Sequence, residues 1–403
     1  MKALVLGYGR SGKAAEALLR ARGVEAVVLA DDEHDGLGDG TFDFAVVSPG
    51  IALTHPWVVE AKRRGIPLKS ELQLGCEELK RQGWKLLAVT GSKGKSSVVK
   101  IVADAVNLAG MRAVACGNYG VPVSEVALSG GASGSRSSRD ARWAVVEVSS
   151  FMMETTMLPP DTFEAAAILN LQEDHLDRHG SVEVYHGLKR KLLTMTRRPI
   201  ETGAGVPVLW KGSYFDNEIL SENAAIAVEL MRVAGLDDAK IAAAFKAFKP
   251  LPHRMNLVAE IDGVRYIDDS KATSLAALVA GVKMASSGIQ TFEHSNIRTI
   301  RLIAGGLPKG DDPKMALSIL TERVRKVYLI GQSAEAFFVA WNGAVDCEIC
   351  GTMDRAVEAA KREAEKGETV LLSPGTASFD QFQSFGERGD VFARLVKEKG
   401  QPK

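Results

Sequence analysis

The sequence has no excess of charge of either sign. Its 403 residues contain 50 Lys and Arg against 50 Asp and Glu, so the formal net charge is zero. Nucleic acids and anionic membrane surfaces attract basic chains, so the composition supports neither as a partner. Aromatic residues are also few, at 6%, but 46% hydrophobic and 25% charged residues are typical of a soluble globular chain and not of a disordered one.

Long apolar runs are missing as well. The longest stretches, such as residues 165–169, fall far short of the ~20 residues that cross a bilayer. The apolar start of the chain soon reaches Gly7 and Gly9 and has no small-residue cleavage site behind it, unlike a signal peptide. We therefore expect a cytoplasmic protein without a membrane partner.

Cysteine is scarce, with four residues in the chain. Cys76 and Cys116 are isolated. Cys347 and Cys350 form one C-x-x-C pair without a second pair or a nearby His to complete a zinc site. Because apolar and polar residues alternate over 345–350, we interpret this pair as part of a strand, with a redox or metal role as the alternative.

The length predicts two to four domains, at roughly 100–200 residues per domain. Short β-branched runs alternate with helical patterns, which is typical of α/β domains built on doubly wound parallel sheets. A charged, glycine-punctuated stretch at 77–83 and the prolines Pro250 and Pro252 mark two boundaries. The sequence thus predicts three α/β units, at residues 1–83, 84–251 and 252–403.

The same patterns predict the individual elements. Predicted strands lie at 3–6, 24–29, 45–47, 85–89, 143–148, 264–267, 300–304, 327–330 and 369–372. Predicted helices lie at 11–22, 182–193, 222–234 and 275–284, and a further helix follows the glycine-rich stretch at 90–97. Residues 129–139 contain Gly, Ser and Arg but almost no apolar side chain, so we expect an exposed loop there.

A glycine motif follows the first predicted strand. Gly7, Gly9 and Gly12 form an intact G-x-G-x-x-G, and Asp31 and Asp32 follow about twenty residues later. In this motif the glycines let the backbone approach a pyrophosphate at a helix N-terminus, and the acidic residue receives a ribose hydroxyl. The pattern indicates a diphosphate site, with NAD as one candidate ligand and a simple tight turn as the alternative.

A second glycine-rich loop spans residues 91–96, between a predicted strand and a predicted helix. Backbone N–H groups of such a loop wrap phosphates, Lys95 neutralises phosphate charge, and Ser96 has a hydroxyl that can ligate Mg²⁺. The loop is two residues shorter than the full Walker A spacing, since its first glycine is Gly91. The alternative is a glycine-rich turn with a solvated Lys.

Two ionisable residues of the central unit also suggest chemistry. Glu147 ends a predicted strand, a position suited to holding Mg²⁺ or to orienting a nucleophile, with an ordinary strand-end acid as the alternative. His175 lies in the polar segment 174–179, where a metal or phosphate role competes with a structural one.

The C-terminal unit carries four polar stretches, at 253–254, 268–273, 305–309 and 373–380. We expect each to follow an apolar strand, which places all four loops on one edge of the sheet. Loops rich in Lys, Ser and Asp at one edge indicate a polar site for a small anion.

Taken together, these motifs resemble those of the Mur ligases. The similarity covers almost the whole chain and rests on residues 47–53, 90–97, 117–120, 147–151, 173–178, 251–255, 269–273 and 371–390. The shortened phosphate loop is shared by Mur ligases and folylpolyglutamate synthetases. The stretch from Leu372 to Asp390 is similar to the family member that adds D-glutamate to UDP-N-acetylmuramoyl-L-alanine.

The resemblance implies a three-domain architecture, with a Rossmann-like N-terminal domain for the UDP-sugar, a central P-loop ATPase domain and a Rossmann-like C-terminal domain that closes over ATP and D-glutamate. It implies ATP-dependent amide bond formation through an acyl phosphate, with ATP and two Mg²⁺ ions. The implied substrates are UDP-N-acetylmuramoyl-L-alanine and D-glutamate, in peptidoglycan synthesis. The implied protein is a monomer that binds neither nucleic acid nor membrane.

The resemblance also assigns roles to individual residues. The implied catalytic residues are Lys95, Glu147, His175 and Lys189, and the implied metal ligands are Ser96, Glu147, His175 and, in a carbamylated form, Lys189. The implied ATP contacts are Gly91, Ser92, Lys93, Gly94, Lys95, Ser96, Ser97, Asn223, Arg254, Asp269 and Lys271. The implied UDP-sugar contacts are Arg10, Ser11, Ser48, Gly50 and Asn118, and the implied D-glutamate contacts are Thr273, Lys309, Ser378 and Phe385.

Three other functions stay open. The nearest is that of another Mur-type or folylpolyglutamate-type amide ligase. A non-catalytic nucleotide-binding homologue is the second, because the segment between Lys191 and Ser221 is shorter than the resemblance implies and lacks the family's His-Asn pair ahead of Asn223. An NAD oxidoreductase is the third, but it leaves Lys95 and the C-terminal unit without a role.

Overall fold

The computed structural model describes residues 1–30, 36–130, 142–287 and 299–398. The chain forms two compact units, Met1–Phe248 and Lys249–Lys403. Asp31, Asp32 and the predicted loop beyond Gly130 lie outside the described residues. The described strands form three sheets, two in the first unit and one in the second, while the domain boundaries near residues 83 and 251 remain predictions.

The N-terminal sheet consists of β1 (Lys2–Leu6), β2 (Glu25–Leu29), β3 (Phe44–Val47) and β4 (Leu68–Ser70). Its strands pair in parallel in the order β2-β1-β3-β4, as the alternation of strand and helix patterns predicts. The accompanying helices are α1 (Arg10–Ala21), α2 (Pro56–Arg63) and α3 (Glu71–Arg81). Because β1 and β3 are neighbours, the loops that follow them lie side by side.

The central sheet consists of β5 (Lys85–Thr90), β6 (Arg112–Gly117), β7 (Arg142–Glu147), β8 (Ala165–Ile168) and β9 (Pro199–Ile200), paired in parallel in the order β6-β7-β5-β8-β9. Strands β5 and β7 are almost entirely apolar because both faces of the sheet are covered. The helices are α4 (Lys95–Leu108), α5 (Val123–Gly130), α6 (Ser150–Met153), α7 (Leu176–His179), α8 (Val182–Lys191), α9 (Ser221–Val233) and α10 (Asp238–Ala247), with a 3₁₀ helix at Leu192–Met195. Ser129 and Gly130, predicted as loop, belong to the last turn of α5.

Helix α3 covers most of the charged stretch 77–83, for which the sequence predicted no helix. The Ser70 hydroxyl accepts a hydrogen bond from the Gln73 N–H at 2.9 Å and so caps this helix. Gly75 packs closely on α5, since an added Cβ would lie 2.7 Å from the backbone nitrogen of Ser124. The hydrophobic cluster beneath α3 includes residues of both sheets, so this helix packs against both.

The second compact unit contains β10 (Asn256–Ile261), β11 (Val264–Asp268), β12 (Ile300–Gly305), β13 (Val324–Ile330), β14 (Asp346–Gly351) and β15 (Thr369–Leu372), in the order β10-β11-β15-β12-β13-β14. Strand β10 pairs antiparallel with β11, and the other pairs are parallel. The helices are α11 (Leu275–Ser287), α12 (Leu317–Arg323), α13 (Ala334–Trp341), α14 (Met353–Glu363) and α15 (Phe385–Lys397), with a 3₁₀ helix at Pro313–Ala316. Strands β11, β15 and β12 are neighbours, so the loops after them share one edge, as predicted.

Two expectations from the sequence concern the cysteines and the apolar runs. All four cysteines are buried and free, and Cys347 and Cys350 both lie in β14, which confirms the strand prediction. Across the described ranges, no helix is both long enough and apolar enough to cross a bilayer.

Candidate active site

The first glycine loop connects β1 to α1. Gly7 has a φ of +86°, and a Cβ on Gly12 would overlap the Gly7 carbonyl oxygen, so both positions require glycine. The Ser48 hydroxyl, at the end of β3, donates to the same carbonyl oxygen at 2.8 Å. Gly9 is the N-cap of α1, and no described side chain caps this terminus. The N–H groups of the first turn are therefore suited to an anion.

Three further residues predicted to contact the UDP-sugar surround this loop. Arg10 and Ser11 begin α1, and Gly50 is exposed in the loop after β3. The Arg10 guanidinium donates from Nη2 to the carbonyl oxygen of Gly120 at 3.0 Å, which links the loop to the central sheet. The structure therefore brings these predicted contacts to one end of the N-terminal sheet.

The second glycine loop, between β5 and α4, is held by side chains that follow β8. Asn170 accepts from the Lys93 N–H at 2.8 Å and donates to the Lys93 carbonyl oxygen at 2.9 Å. The Ser92 hydroxyl donates to the carbonyl oxygen of Gln172 at 2.9 Å and accepts from the Tyr185 hydroxyl at 3.2 Å. Asn170, Gln172 and Tyr185, the clamping residues of this loop, received no role from the sequence. The polar segment after β8 was the signal for the first two.

Two glycines and Lys95 determine the conformation of the second glycine loop. Gly91 has a φ of +149° and Gly94 has a φ of +83°. A Cβ on Gly94 would overlap the side-chain amide of Asn223, so Asn223 lies directly against the loop, consistent with its predicted role. The Lys95 ammonium donates to the carbonyl oxygens of Gly91 at 2.8 Å and Ser92 at 3.0 Å.

The first turn of α4 has the features of a phosphate cradle. Gly94 is the N-cap of α4, and none of the described side chains caps it. Ser96 is partly exposed in this turn, whereas Ser97 is buried. The N–H groups of the turn suit phosphate oxygens, and the Ser96 hydroxyl is accessible to a metal ion.

Glu147 ends β7 and is only 2% exposed. Its Oε1 accepts from the Asn118 amide at 2.6 Å, so Asn118, predicted to contact the UDP-sugar, contacts this carboxylate. The other oxygen, Oε2, is buried and has no hydrogen-bond partner among the described residues. A buried carboxylate oxygen without a partner is unfavourable, and a divalent cation is a group that satisfies it. This carboxylate therefore fits the predicted Mg²⁺.

Lys189 lies on α8 and is 1% exposed. Its Nζ donates to the Gly91 carbonyl oxygen at 2.8 Å and lies 4.4 Å from the centre of the Tyr185 ring. Burial, together with the positive charge of Lys95, lowers the pKa of Lys189 to about 7. The amine is thus partly uncharged near neutral pH, which is the form that can react with CO₂.

His175 also lies near the Tyr185 ring. It adopts a left-handed conformation with a φ of +53° immediately before α7. Its ring packs on Phe151 at 4.9 Å and lies 6.2 Å from the Tyr185 ring, and nearly half of its side chain is exposed. Within the described ranges, no three His, Cys, Asp or Glu side chains cluster as metal ligands, so the predicted metal shell depends on oxygens from other groups.

The second compact unit carries its predicted residues at the edge formed by β11, β15 and β12. The stretch 253–254 corrects one expectation, because it precedes β10 and follows no strand. It still reaches this edge, since β10 starts opposite the end of β11, where Asn256 pairs with Asp268. His253 Nδ1 lies 2.7 Å from the Asp268 carboxylate, and Arg254 follows it directly.

The loop after β11 is polar and tightly packed. Asp269 accepts from the Ser373 hydroxyl at 2.9 Å, and burial raises the pKa of its carboxyl group to about 7. The Lys271 ammonium lies 3.9 Å from the centre of the Phe385 ring, which joins a predicted ATP contact to a predicted D-glutamate contact. Ser378 is buried in the loop after β15. Of the remaining predicted contacts, Thr273 is partly exposed and Lys309 is exposed.

Arg388 lies in the stretch 371–390 that carries the resemblance, but the sequence assigned it no role of its own. Its side chain is fully buried on α15. The guanidinium donates to the carbonyl oxygens of Ser270 at 2.9 Å, Thr376 at 3.2 Å and Ala377 at 3.2 Å. It therefore fastens the loop after β11 to the loop after β15.

Comparisons of the sequence with protein families agree with this geometry. Residues 89–204 match the Mur ligase middle domain, and residues 253–375 match the Mur ligase, glutamate ligase domain. The UDP-N-acetylmuramoylalanine–D-glutamate ligase of Acidobacterium capsulatum is 33% identical, with 98% of this chain and 96% of that protein covered. The protein of the same name from Chlamydia abortus is 32% identical, with 98% of each covered.

Solved structures show the same fold. The UDP-N-acetylmuramate–alanine ligase of Thermotoga maritima has a TM-score of 0.60 and 14% identity, with 98% of each chain covered. The bifunctional folylpolyglutamate synthase/dihydrofolate synthase of Yersinia pestis, complexed with AMPPNP and Mn ion, has a TM-score of 0.54 and 16% identity, covering 86% of this chain and 99% of that chain. These likenesses confirm the predicted α/β architecture.

Proposed function

The chain belongs to the Mur ligase family, and from this premise we propose that it joins D-glutamate to UDP-N-acetylmuramoyl-L-alanine, converting ATP to ADP and phosphate, in peptidoglycan synthesis. The observation that carries this proposal is the similarity to UDP-N-acetylmuramoylalanine–D-glutamate ligases over 98% of the chain. The cluster of Lys95, Glu147 and Lys189 around the second glycine loop supports it, because such a loop suits ATP phosphates and not a nicotinamide.

The first step transfers the γ-phosphoryl group of ATP to the alanyl carboxylate. A carboxylate oxygen attacks the γ-phosphorus, the bond to the β-phosphate oxygen breaks, and ADP leaves. Both partners are anions, so the step requires positive charge where they meet. Lys95 supplies it at the mouth of the loop, while the α4 N-terminus orients the phosphates.

Bound Mg²⁺ would neutralise further phosphate charge in this step. Glu147 Oε2 and the Ser96 hydroxyl would hold one ion, since the first has no other partner among the described residues and the second lies on the phosphate turn. We assign His175 and carbamylated Lys189 to a second ion. Asn118 holds Glu147 Oε1, which fixes the orientation of the carboxylate.

Lys189 changes character on carbamylation. Its uncharged amine forms an N–C bond to CO₂ and releases one proton, which yields an anionic carbamate. This reaction replaces a buried cation by a carboxylate-like group beside Lys95, and the low pKa of Lys189 favours the reactive amine. The Tyr185 ring and the Gly91 carbonyl oxygen, which both contact the amine, hold the Lys189 side chain in place.

The second step forms the amide. The D-glutamate amine attacks the acyl carbon, phosphate leaves with the carboxyl oxygen, and the nitrogen loses one proton. We assign Thr273, Lys309, Ser378 and Phe385 to the carboxylates of D-glutamate, and Arg254, Asp269 and Lys271 to ATP. Arg388 fastens the loop after β11 to the loop after β15, which makes this part of the edge a preorganised surface for an anionic amino acid.

The proposal also covers the oligomeric state, the location and the partners of the enzyme. We propose that it acts as a monomer in the cytoplasm, on small-molecule substrates, without nucleic acid or membrane as partner. Sedimentation of the purified chain with and without substrates tests the monomer, and a dimer at micromolar concentration would contradict it.

An amino-acid panel tests the function. The chain is incubated with ATP, Mg²⁺ and UDP-N-acetylmuramoyl-L-alanine, and phosphate release and product mass are measured for D-glutamate, L-glutamate, meso-diaminopimelate and L-lysine. We expect turnover with D-glutamate, and Lys95→Ala as the control should abolish it. Turnover with another amino acid but not with D-glutamate would overturn the substrate assignment, and UDP-sugar binding without ATP turnover would favour the non-catalytic alternative.

A further inference from the structure

Arg178 on α7 connects two regions that each contribute to the proposed site. Its Nη2 donates to the carbonyl oxygens of Ile51 at 2.7 Å and Pro49 at 3.3 Å, in the loop after β3. The same guanidinium binds the Glu154 carboxylate through two hydrogen bonds, from Nε at 3.1 Å and from Nη2 at 2.7 Å. Glu154 directly follows α6, beside the central sheet.

The Arg178–Glu154 pair is shielded from solvent. The side chains are 15% and 6% exposed, respectively. Two parallel hydrogen bonds between a guanidinium and a carboxylate fix the relative orientation of both groups, which a lysine ammonium cannot do. His179 adds a third contact, with Nδ1 3.4 Å from Glu154 and Nε2 3.0 Å from the Ser150 hydroxyl. The pair is therefore a rigid connection, unlike an exposed surface ion pair.

Arg178 also shares an aromatic support with His175. The guanidinium carbon lies 4.9 Å from the centre of the Phe151 ring, and the His175 ring lies 4.9 Å from the same ring. Arg178 lies within the four-residue helix α7 and His175 is its N-cap, so the two residues belong to one short element. The other end of the connection is the loop that begins at Ser48, whose hydroxyl holds the first glycine loop.

We propose that Arg178 is a positioning residue that sets the distance between the UDP-sugar loop and the reacting carboxylate. The inference rests on the proposed function, to which we add that Ser48 and Gly50 contact the UDP-sugar, as the family resemblance implies, and that the alanyl carboxylate reacts beside the second ion assigned to His175. Arg178 contacts neither the second glycine loop nor any of its clamping residues in the described structure. Its loss therefore affects the UDP-sugar and the chemical step, and leaves ATP binding unchanged.

The variant Arg178→Lys tests the proposal, because it retains the positive charge but cannot form the two parallel hydrogen bonds to Glu154. We expect the Kd for UDP-N-acetylmuramoyl-L-alanine, measured by calorimetry without ATP, to rise about tenfold, and kcat to fall about tenfold, because small misplacements of reacting groups carry costs of this order. The KM for ATP should stay within about twofold. Glu154→Gln, which keeps an accepting oxygen, should give the same pattern more weakly and serves if the lysine variant does not fold.

The matched control is Arg63→Lys. Arg63 makes the same two-bonded contact with Glu60, at 2.6 and 2.7 Å, but 71% of its side chain is exposed. We expect this control to leave every constant unchanged. A purely structural role for Arg178 would lower the melting temperature and the active fraction with both substrate constants unchanged, which would overturn the proposal.

Binding of the unsubstituted chain separates the two hypotheses. If it binds the UDP-sugar without amide formation, the proposed function fails, while the ratio of the two Kd values still decides the role of Arg178. Equal Kd values for the unsubstituted chain and Arg178→Lys would overturn the positioning role with the ligase function intact. If the unsubstituted chain does not bind the UDP-sugar, both proposals fail.

Discussion

The two glycine loops of the first compact unit are built alike and differ in their surroundings. Each connects a parallel strand to a helix whose N-cap is glycine, and no described side chain caps either helix. Around the first loop the contacts are few, chiefly the Ser48 hydroxyl on the Gly7 carbonyl. Around the second, Asn170 and Tyr185 fasten the backbone, and Lys189 is buried against it.

This difference indicates a division of labour. A strand, a glycine turn and an open helix N-terminus suffice to bind a phosphate, so both loops can hold one. Chemistry on that phosphate needs charges placed where the transition state develops them, and only rigid surroundings fix such charges. Lys95, Glu147 and Lys189 meet this requirement at the second loop. We therefore infer that the first glycine loop only binds the UDP-sugar, whereas phosphoryl transfer takes place at the second.

The largest expected effect separates binding from reaction. Lys95→Ala and Glu147→Gln should each lower kcat by about 1000-fold, because each removes charge or metal ligation from the phosphoryl transfer. The Kd for the UDP-sugar should stay unchanged in Lys95→Ala, whose ammonium donates to Gly91 and Ser92 of the second loop, whereas Glu147→Gln also alters the partner of Asn118, a predicted UDP-sugar contact. Single-turnover kinetics and calorimetry measure the two quantities, and a normal kcat in either variant at saturating Mg²⁺ would contradict the division.

His175→Ala is expected to behave like the Glu147 variant if His175 holds a second ion. We predict a severe loss of kcat with the fold intact, because the exposed imidazole contributes little to the core. Circular dichroism and the Mg²⁺ dependence of kcat measure these outcomes. An unchanged Mg²⁺ dependence would remove His175 from the metal shell.

Lys189→Ala should lower kcat about 100-fold and regain activity with short carboxylic acids, which can occupy the place of the carbamate. Lys191→Ala is the matched control, because Lys191 lies on the same helix and donates to the Met153 carbonyl at 3.1 Å, away from the loop. Rate measurements with and without formate or acetate decide the matter. We expect Lys191→Ala to keep its activity with or without the acids. If neither acid restores activity to Lys189→Ala, the carbamate assignment is contradicted.

Gly12→Ala tests the first loop alone. The new Cβ would overlap the Gly7 carbonyl oxygen, so the loop must shift, and we expect the Kd for the UDP-sugar to rise about tenfold with an unchanged KM for ATP. Gly36→Ala is the control, since a Cβ there meets no described atom within 4 Å and Gly36 lies outside both glycine loops. A shifted KM for ATP in Gly12→Ala would show that the loops are not independent.

The smallest expected effect is a pH dependence confined to the second loop. The pKa of Lys189 lies near 7 in the folded chain, below its ordinary value, so lowering the pH through 7 protonates the amine and removes its capacity to bind CO₂. The ¹³C signal of the carbamate, observed with labelled bicarbonate, should therefore decline below pH 7. The UDP-sugar Kd should not follow this curve, and a carbamate signal that persists at pH 5 would contradict the assignment.

The sequence predicted the fold largely because the strands of parallel sheets are continuous apolar runs, as in β5 and β7. It missed α3, because the charged residues after Glu77 hide the helical pattern, although Gly75 and Cys76 are buried and Gly75 packs on α5. The cap at Ser70 was a signal that could have identified this helix.

The phosphate loop was predictable because its residues are contiguous in sequence, from Gly91 to Ser97. Its clamps were not, since Asn170 meets Lys93 across 77 positions of the chain. The same holds for Arg388 and Ser270, which are 118 positions apart. Contacts of this kind depend on the order of strands in the sheet, which local patterns do not contain.

The most direct test of the account follows the oxygen of the reacting carboxylate. UDP-N-acetylmuramoyl-L-alanine labelled with ¹⁸O in both carboxyl oxygens is incubated with ATP, Mg²⁺ and D-glutamate, and the released phosphate is examined by ³¹P NMR. Phosphorylation of the carboxylate predicts one ¹⁸O in each phosphate and one in the new amide, with no release in Lys95→Ala. Unlabelled phosphate formed in step with the amide would contradict the central claim.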